Sequence, residues 1–301
     1  MVIADAIGPS WDLVADYQII SQYHFMHNAF LAATLVACIA GVVGYFMVIR
    51  SQSFAGHSLA NVGFAGATGA ALVGASPIVG LFLAGALAAL GIQVLGLGAR
   101  QTRQNDIAVG AIFTLALALG YLFLHLSKNE YGNGIYDVLF GNPLGISDGD
   151  VRVNLWAAVF LALIAVGGAR PLLFASLDPE VAAARGVPVR ALGLGYLIVL
   201  ALVVALAVQV IGVLLIFALL VTPAAIANVL TTRPVVAIAL AVGLGVLFTW
   251  LGLVVGFFAP YPVGFFITSF AFAAYIVVRG GRWLLPHWHN VLAAQRMHEV
   301  R

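Results

Sequence analysis

Two polar side chains stand out in a chain otherwise built for hydrocarbon: His57 and Asn61, in the stretch FAGHSLANVGFAG from Phe54 to Gly66. Four residues apart on a helix, they share one face. A neutral imidazole nitrogen and an amide oxygen both coordinate divalent cations, and a pair without negative charge holds them loosely. Loose binding suits a conduit, which must release what it accepts. Ionisable groups within a membrane segment mark transport pathways by default. The competing reading is hydrogen bonding across a helix interface.

Other polar residues carry weaker signals. His24 and His27 precede the first apolar run at i, i+3 and could meet an arriving metal, although interfacial histidines usually face solvent. His125 lies near the end of the fourth run in a similar setting. His287, His289 and His298 fall in the C-terminal stretch PHWHNVLAAQRMHEV, read as an amphipathic surface helix with Trp283 and Trp288 as anchors; a metal-sensing tail is the alternative. Asp106 is read as the N-cap of the fourth run, Pro223 as a tolerated kink in the seventh, and Gln209 as part of a solvated turn or a gate.

The elements that must position these groups follow from composition. Of 301 residues, 63% are hydrophobic and 8% charged, whereas a soluble domain carries about a quarter charged residues. With a mean hydropathy of +1.10, the chain is an all-α polytopic membrane protein. Apolar runs of roughly the 20 residues that span hydrocarbon fall at 29–49, 54–74, 77–98, 107–126, 152–169, 190–208, 211–230, 235–256 and 262–278, giving eight to nine transmembrane helices. The sixth and seventh are separated only by VQVIG, Val208 to Gly212, so that pair could be re-entrant or half-length.

Basic residues favour cytoplasmic loops. With the N-terminus outside, Arg50, Arg100, Arg103, Arg170, Arg185, Arg190, Arg233, Arg279, Arg282, Arg296 and Arg301 are cytoplasmic, leaving only Lys128 and Arg152 outside. The predicted layout is an extracytoplasmic segment 1–28 bearing Asp5, Asp12 and Asp16, a transmembrane domain 29–278, and a cytoplasmic tail 279–301. No cleavable signal peptide is expected, since no basic residue precedes the first apolar run. Cys38 is the sole cysteine, which excludes a disulfide framework or a cysteine cluster. No GxxxxGK[ST] or HExxH occurs, so neither a P-loop ATPase nor an HExxH metalloprotease is encoded. Neither a catalytic residue set nor a nucleic-acid partner is expected.

The loop SLDPEVAAARGVPVR, Ser176 to Arg190, reads as a two-turn surface helix. Asp178 is the N-cap, Pro179 the first helical residue, and Glu180 complements the positive helix end. Gly186 then stops the helix, with Pro188 beyond it, and Ala182, Ala183 and Ala184 are expected to be exposed. It is either a plain connection or a knob that enters a partner's groove.

Four segments together resemble the metal-ion permeases of bacterial ABC importers: GHSLANVGFAG (Gly56 to Gly66), GNPLGIS (Gly141 to Ser147), DPEVAAARGV (Asp178 to Val187) and LLVTPAAIANVL (Leu219 to Leu230). The resemblance covers most of the chain. It implies a homodimeric all-helical permease, related to the vitamin and siderophore permeases, with cytoplasmic ATPase subunits that use the ATP and an extracytoplasmic metal-binding protein. It also implies that about 178–189 is a coupling helix through which Asp178, Pro179, Glu180, Ala183, Arg185, Gly186 and Val187 meet the ATPase. Here the family's usual acid and histidine of the second span fall on His57 and Asn61, and a second, later acid falls on Pro260. The cargo expected is a divalent metal, zinc first and manganese or iron(II) next, passing a transient His57–Asn61 site. Import of a chelate such as cobalamin or a siderophore is one alternative, and an ATP-independent channel or ion-coupled carrier is another.

Overall fold

Hydrocarbon leaves a backbone no hydrogen-bond partner but itself, and each of the nine apolar runs accordingly folds as a helix. The computed structural model describes residues 22–96, 102–126, 138–213, 215–259 and 261–298. Asp5, Asp12, Asp16, Arg100, Lys128, Pro260 and Arg301 lie outside it, as do the side chains of Arg103, Gln209 and the tail beyond residue 282. In chain order the helices are α1 (His24–Ile49), α2 (Ser53–Leu72), α3 (Pro77–Leu95), α4 (Thr102–Leu126), α5 (Asp148–Leu177), α6 (Pro179–Ala184), α7 (Val189–Ile211), α8 (Ile216–Leu230), α9 (Pro234–Phe258) and α10 (Val263–His298). A 3-10 turn at Pro143–Gly145 precedes α5, and no strand occurs among the described residues.

Seven of these helices are long and apolar enough to cross a membrane. The exceptions are informative. At 15 residues α8 rises only about 22 Å, short of the ~30 Å hydrocarbon core. α2 has the length, but His57, Asn61 and its glycines dilute its apolarity.

Four expectations need correction. α4 begins at Thr102, which puts Asp106 inside the helix rather than at its N-cap. α5 runs from Asp148 to Leu177, well beyond 152–169, because Ser147 and Asp150 form a reciprocal capping box that starts it early. α6 has the expected length, six residues or about 1.7 turns, but Ala182 is buried while only Ala183 and Ala184 are exposed. The last span does not stop near 278: α10 is continuous to His298, so the tail extends the same helix.

α1 and α7 are the most enclosed long helices. α1 and α5 run parallel and are tied at both ends, His24 and Asn28 meeting Asp148 at one and Arg50 meeting Ser176 at the other. Within α5, Pro171 cannot donate to the carbonyl four residues back, and Gly167 and Gly168 just before it face open space.

The break between α7 and α8 has a specific cause. Gly212 adopts φ 86° and ψ 160°, a combination essentially confined to glycine. A Cβ there would strike the backbone of Leu139, Phe140 and Gly141, and one on Gly141, itself at φ 76°, would strike Ile211 and Gly212. Val213 N–H donates to the Val138 carbonyl at 3.0 Å, closing this backbone clasp. Gly212→Ala should therefore cost ~3 kcal/mol or more, from strain and overlap together. The measurement is thermal unfolding of the detergent-solubilised protein, with a clear fall in Tm expected.

Candidate functional site

The structure brings His57 and Asn61 together one turn apart on α2, both half-buried. Asn61 Nδ2 donates to the His57 carbonyl at 2.9 Å and lies 3.5 Å from His57 Nε2. The bond to the carbonyl requires a donor and so fixes the amide orientation, turning Oδ1 away from that carbonyl. The pair thus hydrogen-bonds within α2. Among the described residues neither side chain hydrogen-bonds to another helix of this chain.

What faces His57 is aromatic. The Phe217 ring meets the imidazole edge to face, with centroids 5.4 Å apart, and the Phe113 ring lies tilted at 5.9 Å. Phe54 packs on Phe113 at 6.4 Å. Phe217 sits in the first turn of α8, directly after the Gly141–Gly212 clasp, so the glycine break sets the ring against the histidine. Sequence reasoning missed both phenylalanines, because nothing local links residues 113 and 217 to residue 57.

The remaining candidates lie apart from this pair. His24 Nε2 is 2.9 Å from Asp148 Oδ1, and Asn28 Nδ2 donates to the same oxygen at 2.6 Å and to the Ile146 carbonyl at 3.3 Å. His27 and His125 are exposed. Among the described residues no three His, Cys, Asp or Glu side chains gather closely enough to hold a metal.

The loop before α7 follows its sequence signals closely. Asp178 Oδ1 accepts from Val181 N–H at 2.9 Å, and Pro179 and Glu180 occupy the first turn. Gly186 has φ 82°. Its N–H reaches the Ala183 carbonyl at 3.0 Å, and Val187 N–H reaches that of Ala182 at 3.0 Å, a Schellman closure. The Arg185 guanidinium lies 5.9 Å from the Phe174 ring centroid. Asp178 to Val181 and Ala183 to Gly186 are exposed, so the short helix stands out as a knob fastened by Ala182.

A multi-helix membrane bundle with a weak polar pair inside and a rigid capped knob at one end is the form of a transport subunit. The sequence profile of the ABC 3 transport family matches residues 22–279, and the chain belongs to that family. The manganese transport system membrane protein MntC of Halalkalibacterium halodurans is 34% identical over 226 residues, covering 75% of this chain and 76% of that protein. The manganese import system permease protein ScaB of Streptococcus parasanguinis is 30% identical over 263 residues, covering 84% and 92%. Among solved structures, PsaBC from Streptococcus pneumoniae in complex with Fab superposes with a TM-score of 0.79 at 27% identity, over 88% of this chain and 95% of that one. The chain is thus a multi-pass permease subunit of a bacterial ABC transporter, without ATPase activity of its own.

Proposed function

We propose that this chain forms the membrane path of an ATP-driven importer of a divalent metal ion, manganese before zinc or iron(II). The observation that carries the reading is the His57–Asn61 pair, presented half-buried on a helix too polar to be mere lipid filler. Nitrogen and oxygen donors without a thiolate suit manganese as well as zinc, and the relatives named for manganese move it ahead of zinc. The functional unit is a homodimer in lipid, with the N-terminal segment 1–28 outside and the tail 279–301 in the cytoplasm. An extracytoplasmic metal-binding protein delivers the ion. The ATPase subunits grip α6 from the cytoplasm, and the dimer alternates access past His57 and Asn61.

Reconstitution into liposomes with the cognate ATPase and binding protein tests this with a panel of manganese, zinc, iron(II) and cobalamin. ATP-dependent accumulation of manganese, several-fold above the other ions, is the expected result. Uptake that proceeds without the ATPase would establish a channel or carrier instead, and uptake of cobalamin alone would establish a chelate permease.

A further inference from the structure

Arg50 immediately follows α1, half-buried, and touches three parts of the bundle. Its Nη1 donates to Ser176 Oγ at 3.2 Å and its Nε to Gln52 Oε1 at 3.3 Å. Its guanidinium carbon lies 5.3 Å from the centre of the Tyr196 ring. Tyr196 is 5% exposed and donates its hydroxyl to the Val43 carbonyl of α1 at 3.0 Å, while Ser176 donates to the Leu172 carbonyl at 2.5 Å. One side chain therefore joins the α1–α2 turn, the last turn of α5 and the beginning of α7.

The partners are unusual for a cation. Among the described residues no carboxylate lies within ion-pair distance of Arg50; its charge is met by a hydroxyl, an amide oxygen and a ring face. Withdrawing a guanidinium from water toward neutral partners is costly. A hydrophobic residue would fill the space at lower cost, so what the arginine supplies is its planar fork, which fixes two directions at once.

Both ends of that fork lead somewhere. Ser176 precedes Asp178, the N-cap of α6, by two residues. Gln52 precedes the first residue of α2, and His57 lies one turn further on. The turn between them is stiff. Ser51 holds φ 54°, Arg50 N–H bonds the Phe46 carbonyl at 2.9 Å, and Gln52 N–H bonds that of Met47 at 2.9 Å. A shift at the base of α6 thus reaches the helix carrying the polar pair without crossing a flexible segment.

We propose that Arg50 is a positioning residue that relays motion of α6, through Ser176, to the N-terminal turn of α2 and so to His57 and Asn61. The relay rests on the reading of α6 as the ATPase contact given above.

The test uses the full chain assembled with its ATPase and binding protein in liposomes and reads the ATP hydrolysed per manganese ion imported. In Arg50→Ala that ratio should rise about tenfold, the order of coupling losses seen along such networks, with ATPase assembly and hydrolysis rate kept. Ser176→Ala should show a smaller rise in the same direction, and the double variant should be no worse than Arg50→Ala. Arg50→Lys should rescue only in part, because an ammonium keeps the charge but not the fork. Hydrolysis and uptake falling in parallel, or an unchanged ratio in both single variants with assembly intact, would overturn the relay. Failure of the wild-type chain to assemble with any ATPase would overturn the transport reading first, and the relay with it.

Discussion

His57→Ala should reduce ATP-dependent manganese uptake to below about a tenth of the wild-type rate, a loss of the size seen when a metal site is disturbed, while the protein still folds and still binds its ATPase. The imidazole is the one ionisable group on α2, and Asn61 contributes an amide oxygen without charge, so no neighbour on that helix can replace the ring nitrogen. Structural damage should be small. The ring is half-buried and its aromatic contacts with Phe113 and Phe217 are worth roughly 1 kcal/mol each. Uptake in proteoliposomes with a manganese isotope, beside Tm and ATPase co-purification, separates the two effects. Retention of full uptake would remove His57 from the path.

The second large effect is expected at the crossing of α2 with α3. A Cβ added to Gly66 would land on the Gly80 carbonyl oxygen and 2.5 Å from Ala84 Cβ; one on Gly80 would land on the Gly66 carbonyl and 2.6 Å from Ala70 Cβ. Two backbones therefore touch with nothing between them. Lipid offers no hydrophobic drive for helices to associate, so such close packing is itself the adhesive. Gly66→Leu should cost about 3 kcal/mol or more, seen as a loss of monodisperse protein in size-exclusion chromatography and a collapse of Tm. Gly167→Leu, at a position facing open space, should be tolerated by the same assay. A monodisperse, stable Gly66→Leu protein would mean that the two helices do not cross this closely.

The two parts of the molecule differed in how legible they were beforehand. Hydropathy located every long helix, because a membrane constrains each span separately, and the α6 caps were readable because Asp178 and Gly186 act on backbone groups within a few residues of themselves. The site was legible only as a pair. Phe113 and Phe217 reach His57 through the tertiary fold, and the clasp of Gly141 with Gly212 joins two loops about seventy residues apart in sequence. Arg50 counted in the sequence as one more positive charge favouring a cytoplasmic loop; its fork onto Ser176 and Gln52 needed coordinates. His57 and Asn61 could not rank zinc against manganese, because an imidazole nitrogen and an amide oxygen are acceptable to both ions.

The proline in α5 bears on how force can enter the bundle. A helix resists stretching because its hydrogen bonds lie along the axis, and it bends most readily where a bond is missing and no side chains brace the flank. Gly167, Gly168 and Pro171 make such a place, about 8 Å along the axis from Ser176. The opposite end of α5 is pinned to α1 by Asp148. If α6 is the ATPase contact proposed above, a push on it would act as a torque about a nearby pivot: Ser176 would swing sideways on a short arm, and the far end of the helix would stay where it is.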